Sequence, residues 1–298
     1  MDLSNIDYKL LKALDAVVME QSFERAAQRL FITQSAVSQR IKLLEKSFGE
    51  PLLIRSTPPK STQLGRLLLG HYQRVLQLEI ELNQQLAVQS NQVQTLPLAV
   101  NADSLASWLI TALSPLLQQK NVQLNLFVQD ESTTWERMRS GEALACLSNK
   151  EKAISGSDSH FLGYMEYVCV ASPNFIERFF KNGVNKQSLQ HAPAMSFDQH
   201  DDMHLDFLSE HFQLSMGQYP CHTVRSSEAF VDLTLASGAY SFNSLFSVQE
   251  HLESGGLIDI LPEYKVRVPL YWHCWQLGGE LMQLLSEQVI AYARQVLK

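Results

Sequence analysis

The sequence predicts an all-α N-terminal unit carrying a short β-wing and a long following helix, joined to an open α/β domain. Three observations predict this. Apolar residues recur at helical spacing from Leu10 to Leu86, short apolar runs alternate with amphipathic stretches from Leu96 onward, and charge divides near the same place. Residues 1–90 hold 11 Lys and Arg against 9 Asp and Glu, which leaves 13 against 22 for the rest of a 298-residue chain of net charge -7. A nucleic-acid partner needs a local basic surface, not a basic average, so the N-terminal unit is the eligible part.

Leu10, Leu11, Leu14, Val17 and Val18 place one apolar stripe on a helix from about Asp7 to Glu20. Ser22 is an N-cap for a second helix, whose inner face is Phe23, Ala26, Ala27 and Leu30; the two alanines permit close approach of a neighbour. Phe31 and Ile32 make the turn. Thr33 then caps a third helix, with Val37, Ile41, Leu44 and Phe48 inside and Gly49 ending it. Its opposite stripe is Gln34, Ser35, Ser38, Gln39 and Lys42, short or amide side chains suited to a groove. After Pro51, Leu52 to Arg55 and the turn Ser56 to Lys60 predict a β-wing.

Thr62 opens the long helix. Leu68, Val75 and Leu82 recur every seven residues with Tyr72, Leu78 and Leu86 between them, a stripe that predicts pairing with a partner helix in a dimer. Ser90 to Gln94 reads as a polar linker. Beyond it, Leu96 to Val100, Val122 to Val128, Ala143 to Leu147, Tyr167 to Ala171, Ala194 to Phe197, His222 to Val224 and Leu257 to Leu261 read as strands. Helical stretches separate the first of these, at Ser104 to Gln118 and Ser132 to Arg139. In open α/β sheets ligands bind beyond the carboxyl ends of strands, which directs attention to the residues after Val100, Val128 and Phe197.

Several function classes are disfavoured. No run of eighteen apolar residues predicts a membrane span, and Met1 to Asn5 lacks the basic and apolar regions of a secretory signal, so a cytoplasmic location is expected. Cys146, Cys169, Cys221 and Cys274 fit neither a metal pattern nor a disulfide scaffold and read as reduced thiols. His200, His204 and His211 with Asp201 and Asp202 lack a third ligand at a convincing spacing, so no metal or other cofactor is expected. Ser226 and Ser227 lack the Gly-x-Ser-x-Gly elbow of a nucleophile, and no enzyme is predicted.

The stretch Ala26 to Ile41, with Leu44-Glu45 and Gly49 to Arg55 behind it, resembles the LysR-type transcriptional regulators. The likeness spans nearly the whole chain and is greatest to the arginine- and lysine-responsive members. It includes Phe23 to Ala27, Ala99 to Ala106, Asp201 to His204, Ser226 to Val231 and Leu270 to His273. It implies a winged helix-turn-helix at 1–60, a linker and dimerisation helix at 61–91, and a periplasmic-binding-protein-like effector domain at 92–298. One lobe of that domain would comprise about 96–167 and 268–298, the other about 168–267. The resemblance also implies a homodimer or tetramer, double-stranded DNA and RNA polymerase as partners, and control of amino-acid export or biosynthesis promoters. The alternative on the same scaffold is a replication-origin or nucleoid DNA-binding factor. Gly238 to Ser244 departs from the family, which carries an Ile-Pro or Leu-Pro there, and this bears on ligand preference or coupling.

For DNA, the expected contacts are Thr33, Gln34, Ser35, Ser38 and Gln39 from the third helix, with Arg40, Lys42, Arg55 and Lys60 on phosphates. For the effector, the candidates are Asn101, Asp103 and Ser104 at the first strand-to-helix junction, Asp130 after the next strand, Asp198 and Asp202 in the other lobe, and Ser227 and Glu228 opening a helix. That set is acidic. It suits lysine or arginine, with the α-carboxylate at a helix N-terminus and the cationic groups on the carboxylates.

Overall fold

The structure, a computed structural model, describes residues 6–85, 93–129, 131–197, 202–276 and 279–297. Three short helices form the N-terminal core, and each starts where the sequence supplies a cap. Asp7 accepts from the Lys9 amide at 2.8 Å to open α1 (Tyr8–Glu20). Ser22 accepts from the Arg25 amide at 3.3 Å to open α2 (Phe23–Leu30), and Thr33 opens α3 (Gln34–Phe48). Gly49 ends α3 in the left-handed region at φ 75°, where its amide reaches the Glu45 carbonyl at 2.8 Å. All four apolar positions expected on α3 are buried, against Leu11, Leu14, Ala26 and Ala27. Strands β1 (Leu53–Ile54) and β2 (Lys60–Ser61) pair antiparallel as the wing, which Glu45 ties to α3 by accepting from the Leu52 amide at 3.0 Å.

The long helix α4 (Gln63–Gln85) divides its apolar stripe between two uses. Leu68, Leu69 and Tyr72 are buried on the three-helix core, which needs a lid on its open face, so the stripe is not wholly reserved for a partner helix. Leu78 and Leu82 remain 43% and 54% exposed. Leu86 and residues 90–92 of the expected linker lie outside the described residues, and Gln94, expected in that linker, already pairs with Val122.

The remainder is a two-lobed α/β domain. β3 (Gln94–Asn101) leads through α5 (Ala102–Ser104) and a π-helical turn at Leu105–Leu109 into α6 (Ile110–Gln119). Then follow β4 (Val122–Gln129), α7 (Glu131–Arg139), β5 (Ala145–Ser148) and the long β6 (Ser157–Ala171). Next come α8 (Pro173–Phe179), α9 (Lys186–Leu189), β7 (Ala194–Ser196), α10 (Asp202–Phe212) and β8 (Cys221–Thr223). The chain continues as α11 (Ser227–Leu235), β9 (Ser241–Ser244), α12 (Leu245–Glu253), β10 (Ile258–Asp259), β11 (Val266–Trp275) and α13 (Gly279–Val296).

The main sheet runs β10-β6-β11-β5-β3-β4, with β9 also on β6. β3 is parallel to β4 and β5, while β6 and β11 form an antiparallel ladder from Ser157–Trp275 to Tyr167–Val266. Past Tyr167, β6 leaves β11 and pairs with β9 and β10, so these two strands carry the chain between lobes. The sequence reading found only Tyr167 to Ala171 of this pair, because Ser157 to Glu166 mixes polar and apolar residues and β11 has no turn signals to frame it.

Each lobe has its own core. Trp108, Leu113 and Trp272 centre the first, where Trp272 Nε1 donates to Ser286 Oγ at 2.9 Å; Phe175, Leu208 and Tyr240 centre the second. Cys146, Cys169 and Cys274 are buried free thiols, and Cys221 is exposed. Among the described residues no helix is long and apolar enough to cross a membrane.

Candidate functional site

The first candidate surface is built on the amino end of α3. Thr33 Oγ1 accepts from the Ala36 amide at 3.2 Å and lies 2.9 Å from Ser35 Oγ, so the cap and the first turn are held together. Gln34, Ser35, Gln39 and Lys42 are exposed, while Ser38 and Arg40 are half-buried. Gln34, Ser38 and Lys42 line a groove of about 490 Å³ whose other wall is the wing, with Arg55, Ser56 and Thr57. Lys60 is exposed on β2, and neither it nor Arg40 lines that groove. Phe31, read only as part of the turn, is 95% exposed at φ 54° two residues before Thr33. The available signal was a large apolar residue in the turn between two helices.

The second candidate is a cavity of about 520 Å³ between the lobes, a size that holds a small ligand. Asp103, in the first turn after β3, is its organising residue. Tyr167 donates to Asp103 Oδ2 at 2.7 Å from the point where β6 changes partners, and Ser227 donates to Asp103 Oδ1 at 2.6 Å from the first turn of α11. One carboxylate therefore draws together the first lobe, the crossing strand and the second lobe.

The other predicted residues divide. Ser227 lines the cavity, but Asn101 and Ser104 do not: they are 1% and 0% exposed, and their side-chain polar atoms make no hydrogen bond. Glu228 is exposed in the first turn of α11 and does not line the cavity. Its carboxylate turns outward, accepts from the Ser226 hydroxyl at 2.8 Å and is held below the usual carboxylate range by its own backbone amide and that hydroxyl. Asp130 and Asp198 lie outside the described residues, as does the Asp202 side chain.

Sequence reasoning missed four contributors. Tyr167 read as an ordinary strand residue, and Gln129, directly after Val128 where the strand-end argument pointed, was not itself named as a candidate. Asn243 sits in the part of the family-divergent segment that forms β9 (Ser241–Ser244); its Nδ2 donates to Ser241 Oγ at 2.6 Å, and it lines the cavity. His204, considered only as a metal ligand, is 1% exposed with both ring nitrogens lacking a hydrogen bond, boxed by Tyr219, Tyr240 and Phe242 at 5.7, 5.9 and 5.8 Å. Burial pushes its pKa down to about 4, so the ring is neutral at neutral pH. On the same helix, Asp206 and Glu210 stand exposed one turn apart at the cavity rim, with Lys265 opposing them in charge.

Comparisons with known proteins cover both parts. Residues 8–66 match the model of bacterial regulatory helix-turn-helix proteins of the lysR family, and residues 89–298 match the LysR substrate binding domain. The chain is 48% identical to the HTH-type transcriptional regulator ArgP of Aeromonas salmonicida over 98% of both chains. It is 46% identical to ArgP of Photobacterium profundum over 99% of both. Among solved structures, ArgP from Mycobacterium tuberculosis superposes with a TM-score of 0.82 at 29% identity, covering 99% of each chain. Full-length LysG from Corynebacterium glutamicum with bound effector Arg superposes with a TM-score of 0.74 at 26% identity, covering 98% of this chain and 100% of that one.

Proposed function

The chain belongs to the LysR family of DNA-binding transcriptional regulators and is not an enzyme, and from that premise we propose that a basic amino acid, arginine or lysine, occupies the inter-lobe cavity and governs its action at promoters. The observation that carries this reading is Asp103, a carboxylate at the cavity wall bound by donors from both sides of the cleft. An α-ammonium group offers the same donor chemistry with a charge added, which strengthens the bond to a carboxylate. The α-carboxylate would then meet the amides of the first turn of α11 beside Ser227. A guanidinium or side-chain ammonium would reach toward Asp206 and Glu210. The arginine in the LysG structure supports the same ligand class.

On this reading residues 1–60 form the DNA-binding unit, 61–91 the linker and 92–298 the effector domain, with the lobes meeting near 167 and 267. Gln34, Ser38 and Lys42 face base edges and phosphates from α3, and Arg55 and Lys60 contact the backbone from the wing. Leu78 and Leu82 pair with a second copy in a homodimer, which acts in the cytoplasm with RNA polymerase at export or biosynthesis promoters. Calorimetry of the full chain with arginine, lysine and glutamate tests the effector. Binding of either basic amino acid with none of glutamate is expected, and no heat with either would overturn it. Footprinting on a basic-amino-acid exporter promoter against an AT-rich origin fragment tests the target; protection of the origin alone would favour a replication factor.

A further inference from the structure

A run of side chains leads from the cavity to the wing. Gln129, at the end of β4, lines the cavity, and its Oε1 accepts from Arg137 Nε at 3.1 Å. Arg137 on α7 holds Glu142 in an ion pair, and Ser140 donates to Glu142 Oε1 at 3.2 Å. That oxygen stands 4.0 Å from Arg66 Nε on α4, while Arg66 Nη1 donates to the Ser61 carbonyl of β2 at 3.4 Å.

Beside this run the two parts of the chain touch backbone to backbone. A Cβ on Gly70 of α4 would lie 2.5 Å from Gly141 Cα, and one on Gly141 would lie 1.9 Å from Gly70 Cα. Gly141 holds φ 78°, so a side chain there meets both a clash and a strained backbone. With no side chain between them, a shift of the turn after α7 reaches α4 without being absorbed by rotamers. Arg74 adds a second seat, 5.1 Å over the Trp275 ring.

We propose that Gln129, Arg137, Glu142 and Arg66, seated on the Gly70–Gly141 contact, form the coupling element through which a ligand in the inter-lobe cavity repositions the wing. This rests on the reading of that cavity as the effector site. A ligand that draws on the Gln129 amide competes with Arg137 for it, and Arg137 then redistributes between Gln129 and Glu142, altering the hold of Glu142 on Arg66. The pair of Glu142 with Arg66 is partly exposed, at 20% and 42%, and contributes little to stability. That suits a switch, because coupling depends on the difference between two arrangements and not on the strength of either.

The test uses the full chain and a promoter fragment of a basic-amino-acid exporter gene, with anisotropy titrations at zero and saturating arginine. Wild-type affinity for the fragment should change by roughly 5-fold or more, the lower end of ordinary allosteric coupling. Glu142→Gln and Gly141→Ala should bring that ratio to within about 2-fold of one while calorimetric arginine affinity stays within about 2-fold of wild type. Where Gly141→Ala fails to fold, Glu142→Gln carries the test. A full wild-type ratio in Glu142→Gln, or an uncoupled wild-type protein that binds arginine, overturns the coupling element alone. Wild-type protein that binds no arginine overturns the effector reading and this inference with it.

Discussion

The Ser227 hydroxyl donates to Oδ1 of Asp103 at 2.6 Å across 124 positions of sequence, and that bond is a direct polar tie between α11 of one lobe and the first strand-to-helix turn of the other. With Tyr167 on the remaining oxygen at 2.7 Å, both faces of one carboxylate are engaged at the hinge of the domain. Separation of the lobes at this point would break a charge-assisted bond.

Asp103→Asn replaces one accepting oxygen with a donor that meets a hydroxyl donor. Loss of a charged partner in such a bond costs about 1.5–3 kcal/mol, so arginine affinity should fall by about 10- to 100-fold. Calorimetry reads this directly, and DNA affinity without arginine should change by less than about 3-fold.

Ser38 stands half-buried in the groove between α3 and the wing, flanked by Gln34 and Lys42. On the proposed DNA face, Ser38→Glu would set a negative charge against phosphates and base edges, and specific affinity should fall by at least about 100-fold, the scale of about 3 kcal/mol. Helical content and the melting temperature should stay near wild type; retention of promoter affinity would remove this face from the interface.

His204 carries a pH signature. Its folded pKa, about 4, lies below the ordinary value of 6.5, so the stability from keeping it neutral is present above pH 6.5 and is lost as pH falls toward 4. Between pH 7 and pH 5 the loss is about 2 kcal/mol. His204→Phe, which suits a box of Tyr219, Tyr240 and Phe242, should narrow the drop in melting temperature across that interval. His273 is shifted in the same direction by burial and leaves a residual pH dependence. An unchanged drop in His204→Phe would show that the ring is solvated.

Leu78 and Leu82 are 43% and 54% exposed on the outward half of α4. On the proposed homodimer, wild type should sediment as a dimer at micromolar concentration and Leu78→Glu with Leu82→Glu as a monomer; an unchanged dimer in the variant would remove this face from the pairing. The N-terminal core should stay folded, since Leu68, Leu69 and Tyr72 hold α4 to it independently.

The sequence by itself determined the N-terminal unit almost completely. Ser22, Thr33 and Gly49 are local signals, acting over one helical turn, and the buried face of α3 follows from a period that the chain carries in its own spacing. It also determined the α/β class, because short apolar runs have few other places to go. It did not determine the cavity. Asp103 was legible as an acid at a strand end, but its partners Tyr167 and Ser227 lie 64 and 124 positions away and were chosen by where β6 crosses between lobes. Glu228 was named beside Asp103 as an effector candidate, but it lies exposed and accepts from the Ser226 hydroxyl two residues before it. His204 was legible only as a weak metal-ligand candidate, and its place among three aromatic rings was decided by the packing of α10. Gly70 and Gly141 show the same limit. Neither glycine predicts the other, and the close approach between them exists only once α4 and the first lobe are folded against each other, because backbone contact is a property of two surfaces and spacing is a property of one.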